Sequence, residues 1–123
     1  MRVLIVEDDA IIAIYLVTLL AELGHETCWP AASAEAAIDE AARYEPDVVL
    51  MDIHLADGSS GIEAARQLHT RHALRCIFLS ATLDETTRTA LLPYQPIEFI
   101  AKPVRPILLE RALEKAECQL GNA

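Results

Sequence analysis

The sequence predicts an α/β fold in which one parallel sheet carries helices on both faces. Five short apolar runs alternate with five segments of helical periodicity, and repeated strand–helix units of this kind build parallel sheets. Hydrophobic residues make up 53% of the 123 residues, a high share that predicts strands buried on both sides. No repeat or linker interrupts the pattern, so we expect one domain over residues 1–123.

The first half of the chain contains three predicted strands and two predicted helices. Residues 2–6 form an apolar, β-branched run that is typical of a central strand. Residues 25–29 predict a short second strand, and residues 48–52 a buried third strand. Gly24 is a predicted C-cap for the first helix, and Ser33 a predicted N-cap for the second. The apolar positions that recur at helical spacing in the first helix are Ile11, Ile12, Leu16, Leu19 and Leu23.

The second half of the chain continues the alternation of strands and helices. Turn-forming residues at 56–61 predict a loop before the third helix. The fourth helix is rich in threonine and is interrupted by Pro93, so we expect it to be weak. The predicted elements are a helix over 62–72, a strand over 75–79, a helix over 84–92, a strand over 97–101 and a helix over 106–120.

Charge and cysteine content restrict the class of protein. The net charge is −9, from 19 acidic and 10 basic residues, and such a surface repels nucleic acid and anionic membranes. No apolar run reaches the length of a membrane span, and no secretory signal pattern is present, so we expect a cytoplasmic protein. The three cysteines, Cys28, Cys76 and Cys118, fit no CxxC pattern and are expected to be reduced thiols.

Polar residues follow four of the five predicted strands. The first strand is followed by acids at 7–9, the third ends at Asp52, the fourth ends at Ser80 and the fifth is followed by Lys102. The carboxyl ends of parallel strands lie at one edge of the sheet, so these groups are predicted to meet in one crevice. The exception is the second strand, which we expect at an edge of the sheet.

The predicted cluster has the chemistry of a phosphoryl-binding site. Two carboxylates roughly 4 Å apart repel by about 4 kcal/mol at an effective dielectric constant of about 20, and a divalent cation removes that cost. Ligands that are all oxygens favour Mg²⁺ or Mn²⁺ over zinc. An ammonium group from Lys102 and a hydroxyl from Ser80 complete the parts needed to bind a phosphoryl group, for which a carboxylate can be the nucleophile. Asp9 is expected only to begin the first helix.

Four motifs resemble the receiver domain of two-component response regulators. They are Val-Leu-Ile-Val-Glu-Asp-Asp at 3–9, Met-Asp-Ile-His-Leu at 51–55, Phe-Leu-Ser-Ala-Thr at 78–82 and Ile-Ala-Lys-Pro at 100–103. The motifs occur in the family's order and spacing over essentially the whole chain. The resemblance implies a flavodoxin-like fold with strand order 2-1-3-4-5 and five helices.

The resemblance also implies how a phosphoryl group is received. Asp52 is implied to be the phosphoacceptor, taking the group from a phosphohistidine of a sensor histidine kinase or of a histidine phosphotransfer protein. Asp8 is implied to bind Mg²⁺ directly and Glu7 through a water molecule. Asp52 and the backbone carbonyl of His54 are implied to be further ligands.

Other positions are implied to read out the phosphorylated state. Lys102 is expected to contact the phosphoryl oxygens, and its bond to Pro103 is expected to be cis. Ser80 is expected to move toward the phosphoryl group while Phe99 turns inward as an aromatic switch. The side chains of His54 and Thr82 are expected to tune the rate of hydrolysis.

These roles predict a signalling module that catalyses only its own phosphorylation and dephosphorylation. We expect a stand-alone receiver without an output domain after the last helix, whose readout is protein contact, onward phosphotransfer or sequestration of phosphate. A downstream protein is expected to bind the face of the fourth helix, fifth strand and fifth helix. Homodimer formation stays open at this point. The loop at 55–61 is one residue longer than the family's usual loop and lacks its proline.

Two other hypotheses belong to different classes of protein. A receiver-like module that binds its partner independently of phosphorylation would keep the fold without needing the acid, hydroxyl and lysine set. A flavodoxin-like electron carrier would need a phosphate loop after the first strand, whereas the acids at 7–9 repel the phosphate of a flavin cofactor.

Overall fold

A computed structural model describes residues 1–55 and 60–121 as one five-stranded parallel sheet with helices on both faces. The strand order is β2-β1-β3-β4-β5, which confirms the predicted fold. The strands are β1 Arg2–Val6, β2 Glu26–Thr27, β3 Val48–Asp52, β4 Cys76–Ser80 and β5 Glu98–Ala101. The α-helices of the described ranges are α1 Ala10–Glu22, α2 Ala34–Tyr44, α3 Gly61–His72, α4 Glu85–Leu91 and α5 Pro106–Gly121.

The hydrophobic core forms two layers, one on each side of the sheet. Val3 and Ile5 belong to the layer that contains α1 and α5, while Leu4 and Val6 belong to the layer that contains α2 and α3. Successive strand residues point to opposite faces, so a strand without polar residues is buried on both sides. The continuous apolar runs of β1, β3 and β4 are therefore explained by their central positions.

Side-chain caps begin the helices close to the predicted positions. The Asp9 carboxylate accepts a hydrogen bond from the backbone N–H of Ile11 at 2.9 Å, which confirms that Asp9 begins α1. Ser33 caps α2, Ser60 caps α3 and Asp84 caps α4 in the same way. Each cap satisfies backbone donors that the helix itself leaves without partners.

Two predicted elements are shorter than the sequence pattern indicated. The second strand was predicted over 25–29, but β2 contains only Glu26–Thr27 because it pairs at the edge with two residues of β1. Trp29, which the longer strand would have included, is 87% exposed. The fourth helix was predicted over 84–92, but α4 ends at Leu91 and a 3-10 turn over Leu92–Tyr94 follows because proline cannot continue an α-helix.

One residue of the predicted buried face of α1 is exposed in the structure. Ile11 belongs to the apolar series at helical spacing, yet it is 80% exposed. Leu16 and Leu19 are buried against the sheet as predicted, Ile12 and Leu23 are partly buried against the same core, and Leu20 is buried in addition. Because apolar residues surround this helix on all sides, periodicity alone did not exclude Ile11 from the buried face.

Cys76 is a buried thiol and Cys28 a half-buried one. Burial raises the pKa of Cys76 to about 12 and that of Cys28 to about 11, so both groups are protonated thiols at neutral pH.

Within residues 1–55 and 60–121, every helix is too short or too polar to cross a membrane.

Candidate functional site

The carboxyl ends of three strands of the sheet, β1, β3 and β5, bring acids and one lysine together. Glu7 follows β1, Asp52 ends β3 and Lys102 follows β5. The Lys102 Nζ atom lies 2.9 Å from Glu7 Oε2 and 3.2 Å from Asp52 Oδ2. One ammonium group therefore contacts two carboxylates that lie far apart in the sequence.

The acids form a compact group of oxygen atoms. Glu7, Asp8 and Asp52 each offer one carboxylate oxygen, and these oxygens all lie within 4.8 Å of one another. Glu7 and Asp52 are each only 3% exposed, whereas Asp8 is half-buried. The site thus concentrates negative charge in a region from which water is largely excluded.

Electrostatic effects on Glu7 and Lys102 follow from this burial. Burial raises the pKa of Glu7, and the charge of Asp52 adds to the effect, although the hydrogen bond from Lys102 acts against it. Burial alone would lower the pKa of Lys102, but its hydrogen bond to Glu7 and the charges of Glu7 and Asp52 outweigh it and raise that pKa. Lys102 is therefore a cation at neutral pH, and Glu7 is a carboxyl group with an increased affinity for protons.

Backbone groups orient the two buried carboxylates. The N–H of Asp9 donates to Glu7 Oε1 at 3.1 Å, and the N–H of His54 donates to Asp52 Oδ1 at 3.1 Å. In each carboxylate the other oxygen contacts Lys102. One oxygen of Asp52 therefore accepts a hydrogen bond from the backbone, and the other faces the ammonium group of Lys102.

Ser80 lies next to this group, but its hydroxyl bonds within its own loop. The Oγ atom donates to the Thr82 carbonyl oxygen at 2.7 Å and accepts from the Thr82 N–H at 3.1 Å. Ser80 is fully buried, whereas Thr82 is exposed. A hydrogen bond from Ser80 to a group on Asp52 requires the bond to the Thr82 carbonyl to break.

Residues 3–114 match the sequence profile of the family described as the response regulator receiver domain. The chain belongs to this family. Among curated proteins, the receiver is 35% identical over 116 residues to the phyllosphere-induced regulator PhyR of Methylorubrum extorquens, covering 94% of this chain and 43% of PhyR. It spans 43%, 30% and 44% of the lengths of three such relatives, which is less than half of each.

Solved structures confirm the fold of the receiver. The signal receiver domain of a modulated diguanylate cyclase from Desulfovibrio desulfuricans G20 has a TM-score of 0.88 at 32% identity, covering 98% of this chain and 95% of that one. A CheY-like receiver domain protein from Methanospirillum hungatei has a TM-score of 0.87 at 28% identity, covering 99% and 98%. The single domain over residues 1–123 stays a prediction.

Phe99 of the receiver contacts two residues that the sequence did not connect to it. Its ring stacks on Phe78, with centroids 5.5 Å apart and an angle of 21° between the planes. The guanidinium carbon of Arg88 lies 4.9 Å from the centroid of the Phe99 ring. Phe99 is a half-buried residue of β5, and Arg88 is a residue of α4. Their contact therefore joins α4 to β5. No short-range sequence signal identifies such a contact, because it joins separate elements.

Gly61 is a site residue whose role the sequence analysis missed. A Cβ atom at this position would lie 2.2 Å from the carbonyl oxygen of Asp52 and 2.7 Å from the Cα atom of Ile53. The N–H of Gly61 donates to the Ile53 carbonyl at 3.1 Å. The start of α3 therefore packs directly on the backbone of the proposed phosphoacceptor, which only glycine allows.

We expect Gly61→Ala to lower the free energy of unfolding by about 2–3 kcal/mol, because the methyl group must displace backbone atoms rather than a flexible side chain. Urea unfolding followed by circular dichroism measures the loss. Gly121→Ala is the matched control, since a Cβ atom there meets nothing within 4 Å. Equal stability of the two variants would contradict the close packing of α3 on Asp52.

The structure also reports on the remaining positions of the predicted site. The Lys102–Pro103 peptide bond is cis. The His54 side chain is exposed, and its backbone pairs with Ser60 across the loop. The prediction that the loop at 55–61 is one residue longer than usual concerns mainly residues 56–59, which lie outside the described residues. The rate-tuning roles of His54 and Thr82 stay predictions.

Proposed function

We propose that this receiver accepts a phosphoryl group on the carboxylate of Asp52 and that phosphorylation changes its protein-binding surface. The observation that carries the proposal is the position of Asp52 Oδ2, which lies 3.2 Å from Lys102 Nζ while Oδ1 is held by the His54 N–H. A buried, oriented carboxylate beside a cation can act as a nucleophile toward phosphorus. We propose a phosphohistidine of a histidine kinase or of a phosphotransfer protein as the donor, and a cytoplasmic location.

The transfer is a substitution at phosphorus. The Asp52 oxygen forms the new P–O bond, the P–N bond to the donor imidazole breaks, and its electron pair stays on the imidazole nitrogen. Charge accumulates on the phosphoryl oxygens during transfer, and catalysis consists mainly of positioning and charge stabilisation. Lys102 supplies one positive charge at the place where these oxygens arrive.

Mg²⁺ or Mn²⁺ fits the donor atoms of the site. The three carboxylate oxygens within 4.8 Å of one another are hard ligands of the type these cations prefer. We assign Glu7, Asp8 and Asp52 as the holding residues, together with the His54 carbonyl that the family resemblance implies. When bound, the cation supplies positive charge that offsets the charge of the acids and of the phosphoryl group.

The phosphorylated state is proposed to be read through Ser80 and Phe99. A phosphoryl group on Asp52 offers strong acceptor oxygens, for which the Ser80 hydroxyl can leave the Thr82 carbonyl. Movement of the loop after β4 then alters the surroundings of Phe99, which contacts Arg88 of α4. The surface formed by α4, β5 and α5 is therefore the proposed site for a downstream protein, through a shift in conformational populations.

Magnesium is expected to stabilise the folded protein. At about 100 times its dissociation constant, the cation should raise the free energy of unfolding by about 2.7 kcal/mol, because it binds only the folded state. Urea unfolding with and without Mg²⁺ measures this increase. Asp8→Asn should remove most of it, whereas Asp9→Asn, which removes the same charge from an exposed N-cap, should keep it. An identical increase in both variants would contradict the assignment of Asp8.

The proposed function is tested with acetyl phosphate as a small donor. Incubation with Mg²⁺ should add the mass of one phosphoryl group to the intact protein, and a chelator should prevent the addition. Hydroxylamine, which cleaves acyl phosphates, should remove the added mass. The proposal fails if no phosphoryl group is added at any donor concentration that leaves the protein folded.

A further inference from the structure

Arg88 is a cation of α4 that contacts an aromatic ring rather than an acid. Its guanidinium carbon lies 4.9 Å from the centroid of the Phe99 ring. Asp84 and Glu85 precede it by four and three positions, the spacings at which side chains of a helix form ion pairs. Among the residues that the structure describes, neither acid pairs with Arg88, and the Asp84 carboxylate instead accepts from the Thr87 N–H at 2.7 Å. The guanidinium therefore lies on the ring although two acids are within reach of its own helix.

The Phe99 ring has small neighbours on the side of the acid site. Phe99 of β5 pairs with Phe78 of β4, and their rings stack with centroids 5.5 Å apart. Side chains alternate between the two faces of a sheet, so the next pair on this face is Ser80 with Ala101. These two small residues stand at the carboxyl ends of the strands, where Asp52 also lies. An aromatic ring can turn toward this pair more easily than past another large side chain.

We propose that Arg88 is a positioning residue, which holds Phe99 in the unphosphorylated arrangement and thereby sets how readily Asp52 is phosphorylated. The inference rests on the proposed function, in which Ser80 moves toward the phosphoryl group and Phe99 turns inward. In the structure the Ser80 hydroxyl donates to the Thr82 carbonyl at 2.7 Å, so the contact of Arg88 with the ring belongs to the arrangement that precedes this movement. A contact made in one of two arrangements shifts the equilibrium toward that one.

The backbone connects Arg88 to the loop that has to move. Residues 81–84 join the end of β4 to the start of α4. The Ser80 hydroxyl bonds to both backbone groups of Thr82 at one end of this loop. At the other end, the N–H of Arg88 donates to the Asp84 carbonyl at 3.1 Å. A displacement of the loop toward Asp52 therefore also displaces the helical turn that carries Arg88, and the contact with Phe99 is broken from both sides.

The strength of the contact suits a bias rather than a block. A cation over an aromatic ring at a partly exposed site changes an equilibrium constant by a factor of about 2 to 5. Arg88 and Phe99 are both half-buried, so this range applies to them. The charged oxygens of a phosphoryl group form stronger hydrogen bonds than this contact provides. Phosphorylation of Asp52 can therefore overcome the contact, while Arg88 keeps the active arrangement rare before phosphorylation.

The initial rate of labelling by acetyl phosphate with Mg²⁺, followed by intact-mass spectrometry, tests the proposal. Arg88→Gln removes the cation and keeps a residue that favours helices, so it should be labelled about 2- to 5-fold faster than the wild type. Arg71→Gln is the matched control, because it removes the same charge from an exposed residue in the last turn of α3. This control should be labelled at the wild-type rate. Circular dichroism spectra confirm that the variants are folded.

A cycle of variants separates the contact from a merely structural role of Arg88. Phe99→Leu removes the ring, so adding Arg88→Gln to Phe99→Leu should leave the labelling rate unchanged. An increase that persists undiminished without the ring would show that Arg88 acts through another group, and would overturn the proposal.

Nuclear magnetic resonance measures the contact directly. The ring current of Phe99 should shift the side-chain protons of Arg88 upfield relative to those of Arg71 in the unphosphorylated protein, and Phe99→Leu should remove this shift. Labelling with acetyl phosphate should decrease it. An upfield shift of the same size before and after labelling would mean that the contact does not change with phosphorylation, and would overturn the proposal.

The labelling rates also distinguish this inference from the proposed function. Absence of labelling in the wild type and in every variant would overturn both. Labelling of Arg88→Gln at the wild-type rate, or more slowly, would overturn the role of Arg88 alone and leave Asp52 as the acceptor. An equal increase in Arg71→Gln would assign the effect to net charge and would likewise overturn only the role of Arg88.

Discussion

Asp52→Asn is expected to abolish phosphoryl transfer from acetyl phosphate, reducing the added mass to background. The amide nitrogen and oxygen of asparagine replace a carboxylate, so the nucleophile is lost while the shape of the side chain is kept. Asp52 is the buried acid whose Oδ2 lies near Lys102 and whose Oδ1 is oriented by a backbone N–H. Intact-mass spectrometry after incubation with Mg²⁺ and donor measures the loss.

The matched control for this variant is Asp9→Asn. It removes one negative charge two residues from Glu7, and asparagine caps a helix about as well as aspartate. Asp9→Asn should therefore be labelled at the wild-type rate. Phosphorylation of Asp52→Asn to the wild-type level would eliminate Asp52 as the acceptor, and loss of labelling in both variants would point to an effect of net charge instead.

Lys102→Met is expected to lower the free energy of unfolding by about 3–5 kcal/mol, the usual cost of removing one partner from a buried ion pair. Methionine keeps much of the side-chain volume, but Glu7 and Asp52 lose their shared cation while they remain buried. Urea unfolding at pH 7 measures the change. The matched control is Lys115→Met, which breaks an exposed pair with Glu98 at 3.5 Å and should cost at most about 1 kcal/mol.

The pH dependence of the Lys102→Met variant gives a second measurement. Burial raises the pKa of Glu7 above its ordinary value of 4.5, so the folded protein holds a proton on Glu7 where the unfolded chain has released it. Glu7 therefore binds more protons in the folded state than in the unfolded state in this window, and its contribution to the free energy of unfolding rises as the pH falls from 7 toward 4.5. The loss caused by Lys102→Met should shrink in the same direction. Equal losses for Lys102→Met and Lys115→Met at pH 7 would show that the buried charges do not depend on Lys102.

Several features of the site could be predicted because local sequence and sheet topology determine them. Alternation of apolar runs and helical segments predicts a parallel sheet, and a parallel sheet places the ends of its strands along one edge. Glu7, Asp52 and Lys102 each follow or end such a run, so their convergence needs no knowledge of side-chain packing. The helix start at Asp9 is equally local, because a cap and its first turn are adjacent in sequence.

Other features depend on contacts between distant segments, and the sequence left them undecided. The outer face of α1 is as apolar as its inner face, so only the packing of Leu16 and Leu20 on the sheet shows that Ile11 is exposed. The requirement for glycine at Gly61 arises from the backbone of Asp52 passing 2.2 Å from the place of a Cβ atom. The contact of Arg88 with Phe99 likewise joins α4 to β5.

By itself the sequence determined the fold, the edge of the sheet at which the charged groups meet and the residue types present there, because short-range patterns encode strands, helices and their order. The tertiary structure alone decided that Ile11 of α1 meets solvent, how closely α3 approaches Asp52 and which partner the Ser80 hydroxyl takes. These depend on distances of a few ångströms between segments that are remote in the chain, and no local pattern records such distances.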